Sequence, residues 1–308
     1  MAITDAFKTA GFLYLKNHGI PPSVVAEVFA HSARLFDRPQ AQKDSLAWTT
    51  PESNRGYVVF GREKVTQSSD KADIATLREG NPDLKESMEI GREGVDGLPN
   101  QWPDQIDEEG KHFTRVMKSF FKTGQGLHMK VMRAIAMGMN LPEHFFDEYT
   151  DNGDNNLRLL HYPPVSKKLF RDNPGQVRAG VHSDYGSITL LFQDSRGGLQ
   201  VCSPQGTYVD ATPIADTIVI NAGDLLARWS NDTIKSTRHR VIEPPHEENE
   251  EDSTDKYPAR YSVAYFCNPN MDKFIEALPG TYGEGVAEKK YEGINSGQYL
   301  VQRLAATY

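Results

Sequence analysis

A mainly β chain, a sandwich or jelly roll with helical additions at both ends, is what this sequence predicts, and three observations predict it. After Asn156 the apolar positions recur every second residue in short runs. Turn signals such as Gly197-Gly198 and Pro204-Gln205-Gly206 break those runs at short intervals. Before Asn156 the apolar repeat is three to four residues, the period of helices.

With 308 residues and 38% hydrophobic content the chain can bury a full core. It reads as one domain over 1–308: a helical N-terminal part to about 150, a jelly-roll core over about 151–270 and a C-terminal helix over about 295–308. The net charge of -8 argues against a nucleic-acid surface, which needs clustered Lys and Arg, and points to a small-molecule partner. No apolar run approaches bilayer-spanning length, so no membrane is expected. The segment MAITDAFKTAG has neither the basic stretch nor the apolar core of a secretion signal, and only Cys202 and Cys267 occur, so a cytoplasmic location is expected.

Taken in order, residues 4–10 end a helix at Gly11, Phe12 to Leu15 form a short buried strand, and Asn17-His18-Gly19 turns the chain. Pro22 opens a helix with Val25, Val28, Phe29 and Phe36 on its apolar side, closed by Arg38-Pro39. Thr49 to Gln101 is polar and rich in Gly and Pro, with NRGY at 54–57 and DLKESMEIGRE at 83–93. It reads either as a binding loop or covering flap, or as a solvated surface loop. Between His112 and Met139 the positions Phe113, Val116, Phe120, Leu127, Val131 and Ile135 make an amphipathic helix that backs the sheet. Strands are expected at 157–162, 187–193, 198–202, 217–220, 237–242 and 260–267. The acidic run at 246–255 reads as a solvated loop, and Ser296 to Tyr308 returns to helix.

The chemistry begins at GVHSDYGSITLLFQDSRGGLQV, residues 180–201, where His182 and Asp184 stand two apart. Side chains two apart on an extended chain share a face, so an imidazole and a carboxylate can converge on one metal ion. His239, in a strand that puts Thr237, His239 and Val241 on one face, supplies a third ligand. Two histidines and one carboxylate suit a non-haem ferrous ion and leave positions open for O2 chemistry. On the next strand Arg260, Ser262, Ala264 and Phe266 share a face, and no Asp or Glu lies between Tyr257 and Pro269 to pair with a buried Arg260. Its partner is therefore expected to be an anionic ligand. Arg158, Leu160 and Tyr162 alternate onto one face as well, and the Tyr162 and Ser262 hydroxyls can join Arg260 in cradling a carboxylate. His18, His31, His112, His128, His144, His161 and His246 read as structural or exposed, and Asp224 as tying a turn.

HxD at 182–184, the distal His239 and RxS at 260–262 resemble the iron and 2-oxoglutarate dependent dioxygenases of the isopenicillin N synthase-like superfamily. FLYLKNHGI (12–20), DLKESMEIG (83–91), Tyr162-Pro163, NAGDLLARWSN (221–231) and KSTRHRV (235–241) extend the likeness over nearly the whole chain. Within that superfamily it looks most similar to the fungal thymine dioxygenases. The resemblance implies a cupin-like double-stranded β-helix, with Fe(II) on His182, Asp184 and His239 and 2-oxoglutarate meeting Arg260, Ser262 and Tyr162. It also implies a reaction in which O2 oxidatively decarboxylates 2-oxoglutarate to succinate and CO2 while a substrate carbon is hydroxylated. The positions matching the relatives' pyrimidine contacts are Phe266, Arg158 and Tyr185, so the methyl group of thymine or of a related pyrimidine is the expected target.

Phe266 has the alternative of being a core ring, and Tyr185 alternates away from His182 and Asp184 on a regular strand. Two other readings stay open: an oxidase that grips its substrate's own carboxylate and uses no 2-oxoglutarate, and a non-catalytic metal-binding member of the fold. Family members carry a short apolar strand ending in Asp and a further helical stretch before the point where this chain begins, so the N-terminus reads as truncated. Plant members carry Asn where Leu160 stands, so the substrate rules of hormone and flavonoid enzymes do not transfer.

Overall fold

The computed structural model describes residues 2–49, 53–62, 83–173, 175–243 and 255–307, with side chains through Leu304. Helix α1 (Ala2–Thr9) ends at Gly11, whose φ is +70° and whose absent Cβ would lie 2.3 Å from the Lys235 carbonyl oxygen. Only glycine fits there. Strand β1 (Phe12–Lys16) follows, then α2 (Pro22–Phe36), with Pro22 in its first turn, and α3 (Gln40–Asp44).

The polar stretch after Thr49 departs from expectation, because part of it is sheet rather than loop. Strands β2 (Gly56–Val58) and β3 (Glu86–Gly91) are buried along their whole length and extend the large sheet. The sequence ESMEIG looks exposed because its two glutamates carry charge. Inside the fold each is matched: Glu86 by Lys43 Nζ at 2.9 Å and His161 Nδ1 at 2.7 Å, Glu89 by Arg158 Nε at 2.6 Å. A buried charge is tolerated when paired, and composition alone cannot show the pairing. Residues 63–82 of the expected flap and 246–254 of the acidic run lie outside the described residues.

Helix α4 (Glu108–Gly138) begins at Asp107, whose side chain accepts a hydrogen bond from the Gly110 N–H, and carries Glu108 and Glu109 in its first turn. Its stripe of Phe113, Met117, Phe120, Leu127, Val131 and Ile135 is buried against the sheet. Helix α5 (Asp147–Thr150) leads into β4 (Asn156–Tyr162), and β5 (Val165–Ser166) into α6 (Lys167–Asp172). Then come β6 (Ala179–His182), β7 (Ile188–Gln193), β8 (Leu199–Cys202), β9 (Tyr208–Asp210), β10 (Thr217–Ala222), α7 (Asp224–Trp229), β11 (His239–Val241), β12 (Lys256–Tyr257), β13 (Arg260–Cys267) and α8 (Ser296–Thr307).

Among the described residues, seven strands form an antiparallel sheet in the order β1-β10-β7-β13-β4-β3-β2, and four form a second in the order β6-β11-β8-β9. An apolar cluster of Leu160, Tyr162, Val219 and Ala264 from the first and Ala179, Leu199, Val201 and Val241 from the second joins them. The architecture is thus the mainly β jelly roll with helical additions that the alternation predicts.

Strand β13 shows how alternation sorts the two faces. Val263, Tyr265 and Cys267 are fully buried in the core on the α4 side, where Gly124 leaves room for the Tyr265 ring: a Cβ would come within 2.8 Å of it. Arg260, Ser262, Ala264 and Phe266 line the space between the sheets. No described helix is long and apolar enough to cross a membrane.

Candidate active site

The putting together of three donors starts with register. In the β6–β11 ladder His182 lies directly opposite His239, and the ring centroids are 4.3 Å apart. Asp184 follows β6 in a loop, so it does not share a regular strand with His182, yet its Oδ1 stands 3.7 Å from His239 Nε2. One donor atom from each of His182, Asp184 and His239 falls within 4.8 Å of the others. Thr237, expected on the same strand face as His239, precedes β11 instead and bonds the Ala10 carbonyl through its hydroxyl.

Each donor is oriented by a neighbour. The Nδ1 of His182 is 2.8 Å from the Gly180 carbonyl, and that of His239 is 3.2 Å from the Thr237 carbonyl, which leaves both Nε2 atoms to face the centre. Asp184 Oδ2 accepts hydrogen bonds from Thr189 Oγ1 at 2.5 Å and Asn221 Nδ2 at 2.6 Å, leaving Oδ1 for an ion. Burial pushes the His182 imidazole down to about 3, so it is neutral and ready to ligate. Burial opposes the Asp184 charge, but His239, His182 and the two hydrogen bonds hold its carboxyl below the ordinary range. Two imidazoles that each turn Nε2 inward and one ionised carboxylate, each braced from behind, fit a ferrous ion.

A cavity of about 220 Å³ opens beside this cluster. At one end Arg260 is 1% exposed, donates from Nε to the Gly197 carbonyl at 2.8 Å and from Nη1 to Ser262 Oγ at 3.2 Å, and lies over the Tyr162 ring. No carboxylate lies within ion-pair distance of Arg260 among the described residues. Arg178, fully buried behind it, bonds the Pro258 carbonyl, and burial together with the nearby Arg260 lowers its guanidinium to about 10. Two buried cations, neither in a salt bridge among the described residues, make this end of the cavity a place for an anion with a carboxylate.

The other end is walled by Arg158, Phe266, Tyr185 and Leu160, and Leu300, Val301 and Leu304 of α8 also line the cavity. The Arg158 guanidinium covers the Phe266 ring at 5.2 Å, and the Arg303 guanidinium covers the Tyr185 ring at 4.6 Å. Phe266 is therefore a half-buried cavity wall rather than a closed core ring. Tyr185 faces the cavity because it lies past the end of β6, where strand alternation no longer applies. Asp224 ties the surrounding loops, accepting from Ser183 Oγ at 3.0 Å, Ser236 Oγ at 2.6 Å and Arg303 at 3.2 Å.

Several residues around the site went unassigned by pattern. Asn221, Asp83 and Glu89 act through contacts with residues distant in sequence, and Thr189 through its hydroxyl on Asp184; the polar character of Thr189 and Asn221 beside apolar strands is a signal for those two, whereas Asp83 and Glu89 lie in a stretch that is polar throughout. Arg178 lies outside any recognised motif. Of the histidines read as structural, His161 pairs with Glu86, His31 with Glu109 and His144 with Asp147, while His128 is buried 3.3 Å from Ser187 Oγ.

Comparison with known proteins agrees with this geometry. Residues 153–269 match the model of the 2OG-Fe(II) oxygenase superfamily, and residues 1–105 match that of the N-terminal region of a non-haem dioxygenase in morphine synthesis. A crystal structure of Neurospora crassa thymine 7-hydroxylase with 2-oxoglutarate and thymine is 60% identical, covers 100% of this chain and 90% of its own, and superposes with a TM-score of 0.89. A 2-oxoglutarate-Fe(II) type oxidoreductase of Metarhizium rileyi is 37% identical over 99% of this chain and 85% of its own length. A proline hydroxylase of Petromyces alliaceus is 34% identical over 98% and 91%. With relatives of that identity matched nearly end to end, the chain belongs to the 2OG-Fe(II) oxygenase superfamily and is an iron- and 2-oxoglutarate-dependent dioxygenase.

Proposed function

We propose that this dioxygenase hydroxylates the methyl group of thymine or of a closely related pyrimidine, releasing succinate and CO2. The observation that carries the reading is the substrate end of the cavity: Phe266 offers an aromatic face, with Arg158 and Tyr185 beside it in the wall. A flat imide buried there can stack on the ring and pair its carbonyls with directed donors. The thymine-bound relative at 60% identity supports the same choice.

In this reading His182, Asp184 and His239 hold Fe(II), and Arg260, Ser262 and Tyr162 hold the far carboxylate of 2-oxoglutarate. The bound iron and co-substrate supply the activation of O2. The chain's own residues bind, orient and exclude. Thr189 and Asn221 fix which carboxylate oxygen of Asp184 meets the ion. Leu160, Leu300 and Leu304 keep the reacting carbon in an apolar surround. One domain carries the whole apparatus: the helical part to about residue 150 backs the sheet, and the C-terminal helix contributes to the cavity wall.

A succinate-coupled assay with thymine, other 5-substituted uracils and free amino acids tests the proposal. Succinate formation stimulated by thymine is the expected result. Stimulation by proline or another amino acid and not by any pyrimidine would replace it.

A further inference from the structure

The two ends of the cavity treat charge in opposite ways. Arg260 meets no carboxylate among the described residues, whereas Arg158 is balanced from behind. Glu89 lies opposite Arg158 in the β3–β4 register, is 0% exposed, and puts Oε1 2.6 Å from the Arg158 Nε. The Ser87 hydroxyl donates to the same carboxylate at 2.8 Å. On its other side the Arg158 guanidinium covers Phe266, the ring that walls the substrate end. A molecule entering there meets hydrogen-bond donors whose positive charge is already compensated.

We propose that Glu89 is a specificity-determining residue: by neutralising Arg158 it makes the substrate end select an uncharged planar ring over an anion of the same shape. The inference rests on the pyrimidine reading above and adds to it what that site rejects. An anion moved into the cavity would lose its water and find only an ion pair already satisfied, with the Glu89 carboxylate close behind it. A neutral imide needs partners for its carbonyl and N–H groups but no counter-charge. Arg55, another cavity residue, has its Nη1 held by the carbonyls of Arg92 at 3.1 Å and Leu98 at 3.0 Å, and the carboxylates of Glu93 and Asp154 act on its charge. The same pairing separates this site from one built for a carboxylate-bearing substrate, which would leave a guanidinium uncompensated as at Arg260.

The test is a calorimetric titration of the enzyme loaded with Fe(II) and 2-oxoglutarate without oxygen. The probes are thymine and barbiturate, a planar pyrimidine that is an anion at neutral pH. The wild type should prefer thymine, and Glu89→Gln should raise the barbiturate-to-thymine affinity ratio about 10-fold or more. Arg158→Gln, which leaves the Glu89 carboxylate without its guanidinium, should move the ratio the other way by a similar factor, and it carries the test if the first variant does not fold. A ratio unchanged in a folded variant that still binds thymine overturns the role of Glu89 and leaves the pyrimidine reading standing. A wild type that binds no pyrimidine overturns both.

Discussion

His182 and His239 face one another across the β6–β11 ladder, with ring centroids 4.3 Å apart and Asp184 completing the cluster. Burial, with His239 beside it, pushes the His182 imidazole down to about 3, so this ring presents a lone pair to the centre. Asp184→Ala should abolish Fe(II) binding and, with it, the visible charge-transfer band that anaerobic iron and 2-oxoglutarate give together. Asn221→Ala removes only the brace on Asp184 Oδ2. It should weaken metal affinity by about 10- to 100-fold while leaving the band's position nearly unchanged at saturating iron.

Arg260 carries a second prediction. A buried cation with no carboxylate at ion-pair distance among the described residues destabilises the ligand-free protein, so Arg260→Met should leave its melting temperature unchanged or higher. The co-substrate should then lose its anchor, with an affinity for 2-oxoglutarate lower by about 2–5 kcal/mol. Thermal shift with and without 2-oxoglutarate reads both effects. A variant still stabilised by 2-oxoglutarate as strongly as the wild type would place the carboxylate elsewhere.

How much of this was legible beforehand follows from the range of each interaction. Alternation along one strand was enough to put Arg260, Ser262 and Phe266 on a common face, and Arg158 with Tyr162 on another, because strand geometry is local. The alternation rule failed at Tyr185, where the strand had already ended, and at Thr237, where it had not begun. It failed more widely at Glu86 to Gly91, where glutamates disguise a buried strand because Lys43, His161 and Arg158 come from other parts of the chain. Spacing reveals a face, whereas a charge partner distant in sequence is revealed only by the fold.

Phe266 separates substrate from co-substrate. It stands at the Arg158 end of the cavity, on the face of β13 that also carries Arg260 and Ser262. Phe266→Ala should weaken thymine binding by about 10-fold or more and leave 2-oxoglutarate affinity nearly intact. Equal losses of both would mean that the ring supports the sheet instead.

His128 makes stability depend on pH. It is fully buried on α4, and burial lowers its imidazole from 6.5 to about 3. Below pH 6.5 the unfolded chain takes up a proton that the folded chain refuses, so this contribution is complete above 6.5 and declines as pH falls toward 3. Urea unfolding at pH 7 and pH 5 should therefore show a loss of stability that is smaller in His128→Gln by about 2 kcal/mol. An equal loss in both proteins would mean that other groups set the acid limb.

Asp83 links the segment before β3 to the metal cluster through one residue, Gly180. Its Oδ1 accepts the Gly180 N–H at 2.9 Å, and the Gly180 carbonyl in turn holds His182 Nδ1 at 2.8 Å. Its Oδ2 pairs with Lys85 Nζ at 2.7 Å, and both residues are buried. The two oxygens thus have separable tasks, one orienting a ligand and one balancing a charge. Asp83→Ala removes both, and should lower Fe(II) affinity by about 10- to 100-fold as the His182 ring loses its fixed orientation. Asp83→Asn keeps a carbonyl oxygen for the Gly180 N–H but gives up the charge. It should recover most of the metal affinity while the melting temperature stays low, because Lys85 has lost the carboxylate beside it. Titration of Fe(II) or Co(II) into the two variants, beside their melting curves, distinguishes this positioning role from a purely structural one, for which metal affinity and stability would fall together in both.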